Sequence, residues 1–137
     1  VHVVRRMRKK DLKNVKSLIR SIPGLWHDFY TDDTITRAFF SCEDLAFVYE
    51  CKGKIACCIF AHDLGFKGFL SMLAVSGEMQ HRGVGRQLLT HVEKALRKRG
   101  CELIVSDVWK SAENFYKKHG WDYPEAVLMR KRLVSAS

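Results

Sequence analysis

The sequence predicts a mixed α/β domain over residues 1–137, with its elements in the order β-α-α-β-β-β-α-β-α-β. Three observations carry this reading. β-rich runs separated by turn residues fill the middle of the chain, an amphipathic stretch of period 3.6 begins at Val84, and a buried-type strand, "ELIVSDV", follows that stretch directly. A strand, a helix and a strand in succession form a right-handed crossover and demand a parallel pair, so the sheet is mixed.

Each element has its own signal. "VHVVRRM" is a first strand, and "DLKNVKSLIRSI" sets Leu12, Val15, Leu18, Ile19 and Ile22 on one helix face until Pro23 and Gly24 end it. "LWHDFYTDD" has no period, and "TITRAFFSC" is a second, shorter helix. "DLAFVYECKGKIACCIFAHD" is a hairpin turning at Lys52, Gly53 and Lys54, and "FKGFLSMLAV", after Leu64 and Gly65, adds a third antiparallel strand. In the next helix Val84, Leu88, Leu89, Val92, Ala95 and Leu96 share a face. Arg97, Lys98 and Arg99 suit its negative end, and Gly100 caps it. Ser111 is expected to cap a short helix, "AENFYKKH", closed by Gly120, and "AVLMRKRL" supplies a last strand.

Composition narrows the class. With 47% apolar and 28% charged residues the chain is neither disordered nor a membrane span. "VHVVRRMRKKD" turns charged too early for a signal peptide, so a soluble, cytoplasmic protein is expected. Five cysteines without C-x-x-C spacing point to reduced thiols, and neither they nor the six histidines have zinc-ligand spacing, so no metal is expected. The net charge of +9 suits nucleic acid, an anionic membrane surface or a phosphorylated small molecule, and does not choose among them.

The choice comes from "QHRGVGRQLL". Gly83 and Gly85 stand where a strand gives way to a helix, where free N–H groups and the helix dipole favour an anion and glycine lets it approach the backbone. Arg82 and Arg86 add charge-assisted donors. A Rossmann turn would need a third glycine where Leu88 stands, and a P-loop counted from Gly77 would need one at Arg82. The spacing that fits is Q/R-x-x-G-x-G/A, as Gln80-His81-Arg82-Gly83-Val84-Gly85.

In this loop the chain resembles the GNAT N-acetyltransferase superfamily. "SAENFYKKHGW" is similar to that family's second signature, A-x-x-F-Y-x-x-x-G-F, through Ala112, Phe115, Tyr116, Gly120 and Trp121. The resemblance implies a GNAT-like sheet splayed at its centre for the cofactor, acetyl-CoA as co-substrate, and direct acetyl transfer to a primary amine on a small molecule or a protein. It implies pantetheine contacts at Leu73, Ala74 and Val75, with the Val75 N–H on the thioester carbonyl. Pyrophosphate contacts would come from Gln80, His81, Arg82, Gly83, Val84, Gly85 and Arg86, and a further cofactor contact from Asn114. Tyr116 becomes the general acid, since a phenol near pKa 10 can share its proton with a thiolate whose thiol is near 8.5.

Two positions depart from the family pattern. Trp109 replaces an asparagine that many relatives carry, and Phe69 stands where some carry a glutamate base, which leaves Glu78, His62, Asp63 and Asp107 as replacement bases. The acceptor is expected among Trp26, His27, Phe29 and Tyr30, near Asp28, Asp32 and Asp33, where aromatic rings and carboxylates suit a cation. The competing reading is a catalytically inactive or basic binding module of the same fold, acting on nucleic acid or a protein partner. Charge clustered at the glycine loop, without the paired exposed aromatics of an RNA-reading sheet, argues against nucleic acid. No membrane partner is expected, and monomer and homodimer both remain open.

Overall fold

The computed structural model of the chain describes residues 2–134. It forms two compact units, Val1–Ser106 and Asp107–Ser137. The first holds a sheet in the order β1-β2-β3-β4-β5, from β1 (His2–Arg6), β2 (Ala46–Cys51), β3 (Lys54–Asp63), β4 (Gly68–Val75) and β5 (Ile104–Val105). All pairs are antiparallel except β4 with β5, which is parallel, as the crossover requires.

Period-2 alternation divides the sheet into two apolar faces. Helices α1 (Leu12–Ser21) and α2 (Asp32–Cys42) cover one of them, where Val15, Ile19, Ile35 and Cys42 pack on Val48, Cys58, Phe60 and Ala74. Helix α3 (Val84–Lys98) lies along β2, β3 and β4 and buries Val84, Leu88, Leu89, Val92 and Leu96. Its approach to β4 is close: a Cβ at Gly68 would stand 2.6 Å from Leu96 Cδ1. Helix-period spacing in the sequence therefore translates directly into a sheet with helices on both faces.

Two polar clusters tie connections down. Asp11, 5% exposed, takes two hydrogen bonds from Arg5, at 2.8 and 3.0 Å, and a third from the Arg8 N–H at 2.7 Å; Arg5 also reaches Glu50 at 2.9 Å. The guanidinium holds the Asp11 carboxyl below the ordinary carboxylate range. At the other end, Arg99 bonds Glu43 at 3.1 Å and Asp63 at 3.4 Å and pairs with Asp44, so the basic end of α3 clamps the α2–β2 turn.

The second unit holds a 3-10 turn, Lys110–Ala112, and α4 (Glu113–Lys118), closed by Gly120 at φ +91°. Ser111 lies inside that turn and Ala112 takes the cap position, so the expected serine cap does not form. Two strand expectations are corrected. "ELIVSDV" pairs only at Ile104 and Val105, and "AVLMRKRL" forms no strand. The side chains of this last run are open to solvent, with Leu128 72% and Leu133 92% exposed. An apolar run makes a strand only where a partner edge and a packed face stabilise it. Cys42, Cys57, Cys58 and Cys101 are buried free thiols, and Cys51 is a partly buried one.

Candidate active site

The site begins with a miscount in β4. Phe60 faces Met72 and Ala61 faces Leu70, so Ser71 is an extra residue bulged out of the ladder. Backbone groups in an antiparallel pair alternate between facing the partner and facing away. Before the bulge the outward positions are even: the Gly68 N–H donates to the Leu103 carbonyl at 2.8 Å, and Ser106 Oγ donates to the Leu70 carbonyl at 2.8 Å. Beyond it the Ser76 N–H donates to the Ala56 carbonyl at 2.8 Å, which sets Ala74 and Met72 toward β3 and Leu73 and Val75 away from it.

Pairing with β5 stops at Phe69 and Val105, so the outer edge of β4 from Leu73 to Val75 has no strand beside it among the described residues. Its outward N–H and C=O groups are those of Leu73 and Val75, and the Val75 carbonyl takes a bond from Gln80 Nε2 at 3.3 Å. Ala74 is fully buried. An open strand edge of this kind can receive an extended chain of alternating amide donors and acceptors.

That edge runs into the glycine loop. Gly77–Met79 makes a 3-10 turn, His81 and Gly83 adopt left-handed φ of +64° and +78°, and Gly83 is the residue from which α3 starts. The first helical bond runs from the Gln87 N–H to the Gly83 carbonyl at 3.1 Å, which leaves the N–H groups of Val84, Gly85 and Arg86 without an intrahelical acceptor. No acidic side chain occupies the first turn of α3. Val84 and Gly85 are buried and offer only backbone, whereas His81, Arg82 and Arg86 are exposed. A shallow depression of about 370 Å³ lies along the first turns of α3, lined by Gly83, Arg86, Gln87, Thr90 and His91.

In the second unit Tyr116 is half-buried and packs edge-on against Phe115 and Trp121, with centroids 5.1 and 5.0 Å apart. Burial, reinforced by the charge of Asp107, pushes its phenol up to about 12. Asn114 and Trp109 are exposed.

The four replacement bases occupy different surroundings. Glu78 and Asp107 are exposed. Asp63 accepts bonds from the Gly65 N–H at 2.8 Å, from Cys101 and from Arg99, and is held below the ordinary carboxylate range. His62 stands between two hydroxyls, with Nδ1 3.0 Å from Ser41 Oγ and Nε2 2.6 Å from Ser71 Oγ. The aromatic segment forms its own cluster: Trp26 meets Tyr30 edge-on at 5.4 Å, and His27 stacks on Phe29 at 5.5 Å. Its charges are largely answered internally, since Arg20 and Lys16 lie over Trp26 at 4.7 and 5.9 Å, Lys16 pairs with Asp32, and Arg37 reaches Asp33 at 3.3 Å.

A family profile described as the acetyltransferase (GNAT) domain matches residues 42–123. The chain belongs to the GNAT family. Solved structures of similar fold include a transcriptional regulator from Bacillus halodurans, with 16% identity, TM-score 0.78, and coverage of 96% of this chain and 100% of that one. An aminoglycoside N-acetyltransferase in complex with CoA follows at 20% identity and TM-score 0.75, covering 98% and 96%. PaiA N-acetyltransferase from Thermoplasma acidophilum, in complex with coenzyme A, is similar at 18% identity and TM-score 0.75, covering 93% of each chain.

Within this GNAT chain the strand edge at Leu73 and Val75 and the loop from Gln80 to Arg86 are continuous in one unit, and Tyr116 and Asn114 belong to the other. Sequence reasoning missed Ser41 and Ser71 altogether. The one trace of Ser71 was a polar residue interrupting an apolar run in "GFLSMLAV".

Proposed function

We propose that this GNAT protein transfers the acetyl group of acetyl-CoA to a primary amine, with residues 1–137 acting as one catalytic domain. The observation that carries the proposal is the unpaired edge of β4, whose outward groups at Leu73 and Val75 lead into the free N–H groups that open α3. An extended pantetheine arm matches the first, and a pyrophosphate matches the second. In this reading Leu73 and Val75 hold the arm, and the Val75 N–H polarises the thioester carbonyl. Gln80, His81, Arg82, Gly83, Val84, Gly85 and Arg86 form the pyrophosphate cradle, and Asn114 holds the cofactor as well. Ala74 supports the strand from its buried position. Tyr116 gives its proton to the departing thiolate.

No group of three or more metal-type side chains comes together among the described residues, and no helix is long and apolar enough to cross a membrane.

Thermal melting tests the proposal. Acetyl-CoA at one hundred times its Kd should stabilise the protein by about 2.7 kcal/mol, read as a rise in Tm of several degrees. An unchanged Tm at millimolar acetyl-CoA would sink it, and a rise with an RNA or DNA oligonucleotide instead would favour a basic binding module. Once binding is seen, thiol release should accompany at least one of spermidine, an amino acid, an aminoglycoside and a lysine peptide.

A further inference from the structure

We propose that the Ser71 hydroxyl takes the proton of the acceptor amine and passes its own to His62 Nε2, with Ser41 as the residue that positions the imidazole. This rests on the acetyl-transfer reading above. The three side chains come from three elements: Ser41 from the last turn of α2, His62 from β3 and Ser71 from the bulge of β4.

The direction of the chain follows from its hydrogen bonds. A neutral imidazole has one N–H and one lone pair. At Nδ1 the ring meets Ser41 Oγ at 3.0 Å, and a hydroxyl there can accept from an Nδ1–H. In the proposed relay Ser41 accepts there, so the proton lies on Nδ1 and the Nε2 lone pair faces Ser71 Oγ, 2.6 Å away. The Ser71 hydroxyl has a second acceptor in the Phe60 carbonyl, but at 3.3 Å it is the poorer one.

The bulge brings this chain to the cofactor edge. Ser71 has no residue opposite it in β3, and it is exposed. Leu73, the first outward N–H of the unpaired edge, is two residues further on, about 7 Å along a strand. A regular ladder would have left no polar side chain between the β4–β5 pair and the open edge.

The surroundings keep the ring neutral. Burial lowers the imidazole pKa from its ordinary value, against the smaller effect of the Ser41 bond. From α2 the nearest ionisable group is the Cys42 thiol, 3.9 Å from both ring nitrogens and itself pushed up to about 12 by burial. Glu43 and Asp44 beyond α2, and Asp63 beside His62 on β3, are all engaged by Arg99. Across the ladder β4 offers Phe69, which does not ionise.

The step balances. The amine nitrogen attacks the thioester carbon, the C–N bond forms and the C–S bond breaks with its electron pair going to sulfur. The amine proton moves to Ser71 Oγ while the Ser71 proton moves to Nε2, and the imidazolium later returns it to water. The thiolate is protonated separately, so the products are an amide and CoA thiol.

Two measurements on the full chain test this. In the free protein at neutral pH, nitrogen-15 spectra of the His62 ring should show the Nδ1–H tautomer; Nε2–H would overturn the relay. In turnover with acetyl-CoA and a weakly basic hydrazide, His62→Gln and Ser71→Ala should each lower kcat on the order of 100-fold. Both should keep the acetyl-CoA melting shift, and Ser71→Thr, which retains a hydroxyl, should recover most of the loss. Wild-type kcat should fall on the acid side as the imidazole protonates, and His62→Gln should lack that limb. Wild-type turnover in His62→Gln, or an acetyl group on Ser71 in a quenched mass spectrum, overturns the relay and leaves the acetyltransferase standing. A wild-type protein that neither melts higher with acetyl-CoA nor releases thiol removes both.

Discussion

Replacing Arg5 by methionine is expected to lower the unfolding free energy at pH 7 by about 3 kcal/mol, the order of loss when one member of a buried ion pair is left behind. Asp11 is 5% exposed and sits where β1 turns into α1, with Arg5 supplying two of its three hydrogen bonds. Methionine fills much of the same volume but supplies no donor, so the carboxylate is stranded in a partly dry site. The effect has a definite pH signature. Because Arg5 depresses the Asp11 pKa, the native protein gains stability from this pair above the unfolded value of about 4 and loses it as pH falls through the lower folded value. Urea melts of wild type and Arg5→Met should therefore differ most at neutral pH and converge in acid. A constant gap at every pH would mean that lost packing, not the stranded charge, is responsible.

The second large effect is expected at Tyr116. Tyr116→Phe keeps the ring that packs on Phe115 and Trp121 and removes only the hydroxyl. Loss of a general acid costs about 100-fold or more in turnover, whereas the melting shift with acetyl-CoA should hardly change. Since the phenol is raised to about 12, it stays protonated throughout the physiological range. Wild-type kcat should show no basic limb from Tyr116 up to about pH 10. Equal rates for the two proteins would exclude the hydroxyl from the reaction.

Most of the fold was legible in the sequence because its signals are local. The face made by Val84, Leu88, Leu89, Val92 and Leu96 is set by residues three and four apart, and it buries as the period requires. The turn at Lys52 and Gly53 is likewise written in adjacent residues, both with positive φ. What escaped depends on partners distant in the chain. "AVLMRKRL" opens on an apolar run that suits a strand, yet such a run does not report whether an edge is there to receive it.

The same holds at the site. Gly83 announces the loop, because the left-handed turn before α3 favours glycine there. His62 was one of four equivalent bases on paper. Its distinction comes from Ser41, 21 residues away, and Ser71, 9 residues away in the next strand. Composition likewise marks Trp26, Asp32 and Asp33 as suited to a cation, but does not report that Arg20, Lys16 and Arg37 stand against them.

The bulge at Ser71 also bears on how such an edge arises. Substitution changes side chains, but which amides of β4 look outward is a matter of parity, and parity changes when the register slips by one residue. Every side chain on β4 can be exchanged without turning Leu73 and Val75 inward. Drawing Ser71 into the ladder opposite Phe60 would do so at once, handing Met72 and Ala74 the outer edge and burying the donors now free. The capacity to hold an extended ligand is thus stored in the register of the strand more than in its spelling.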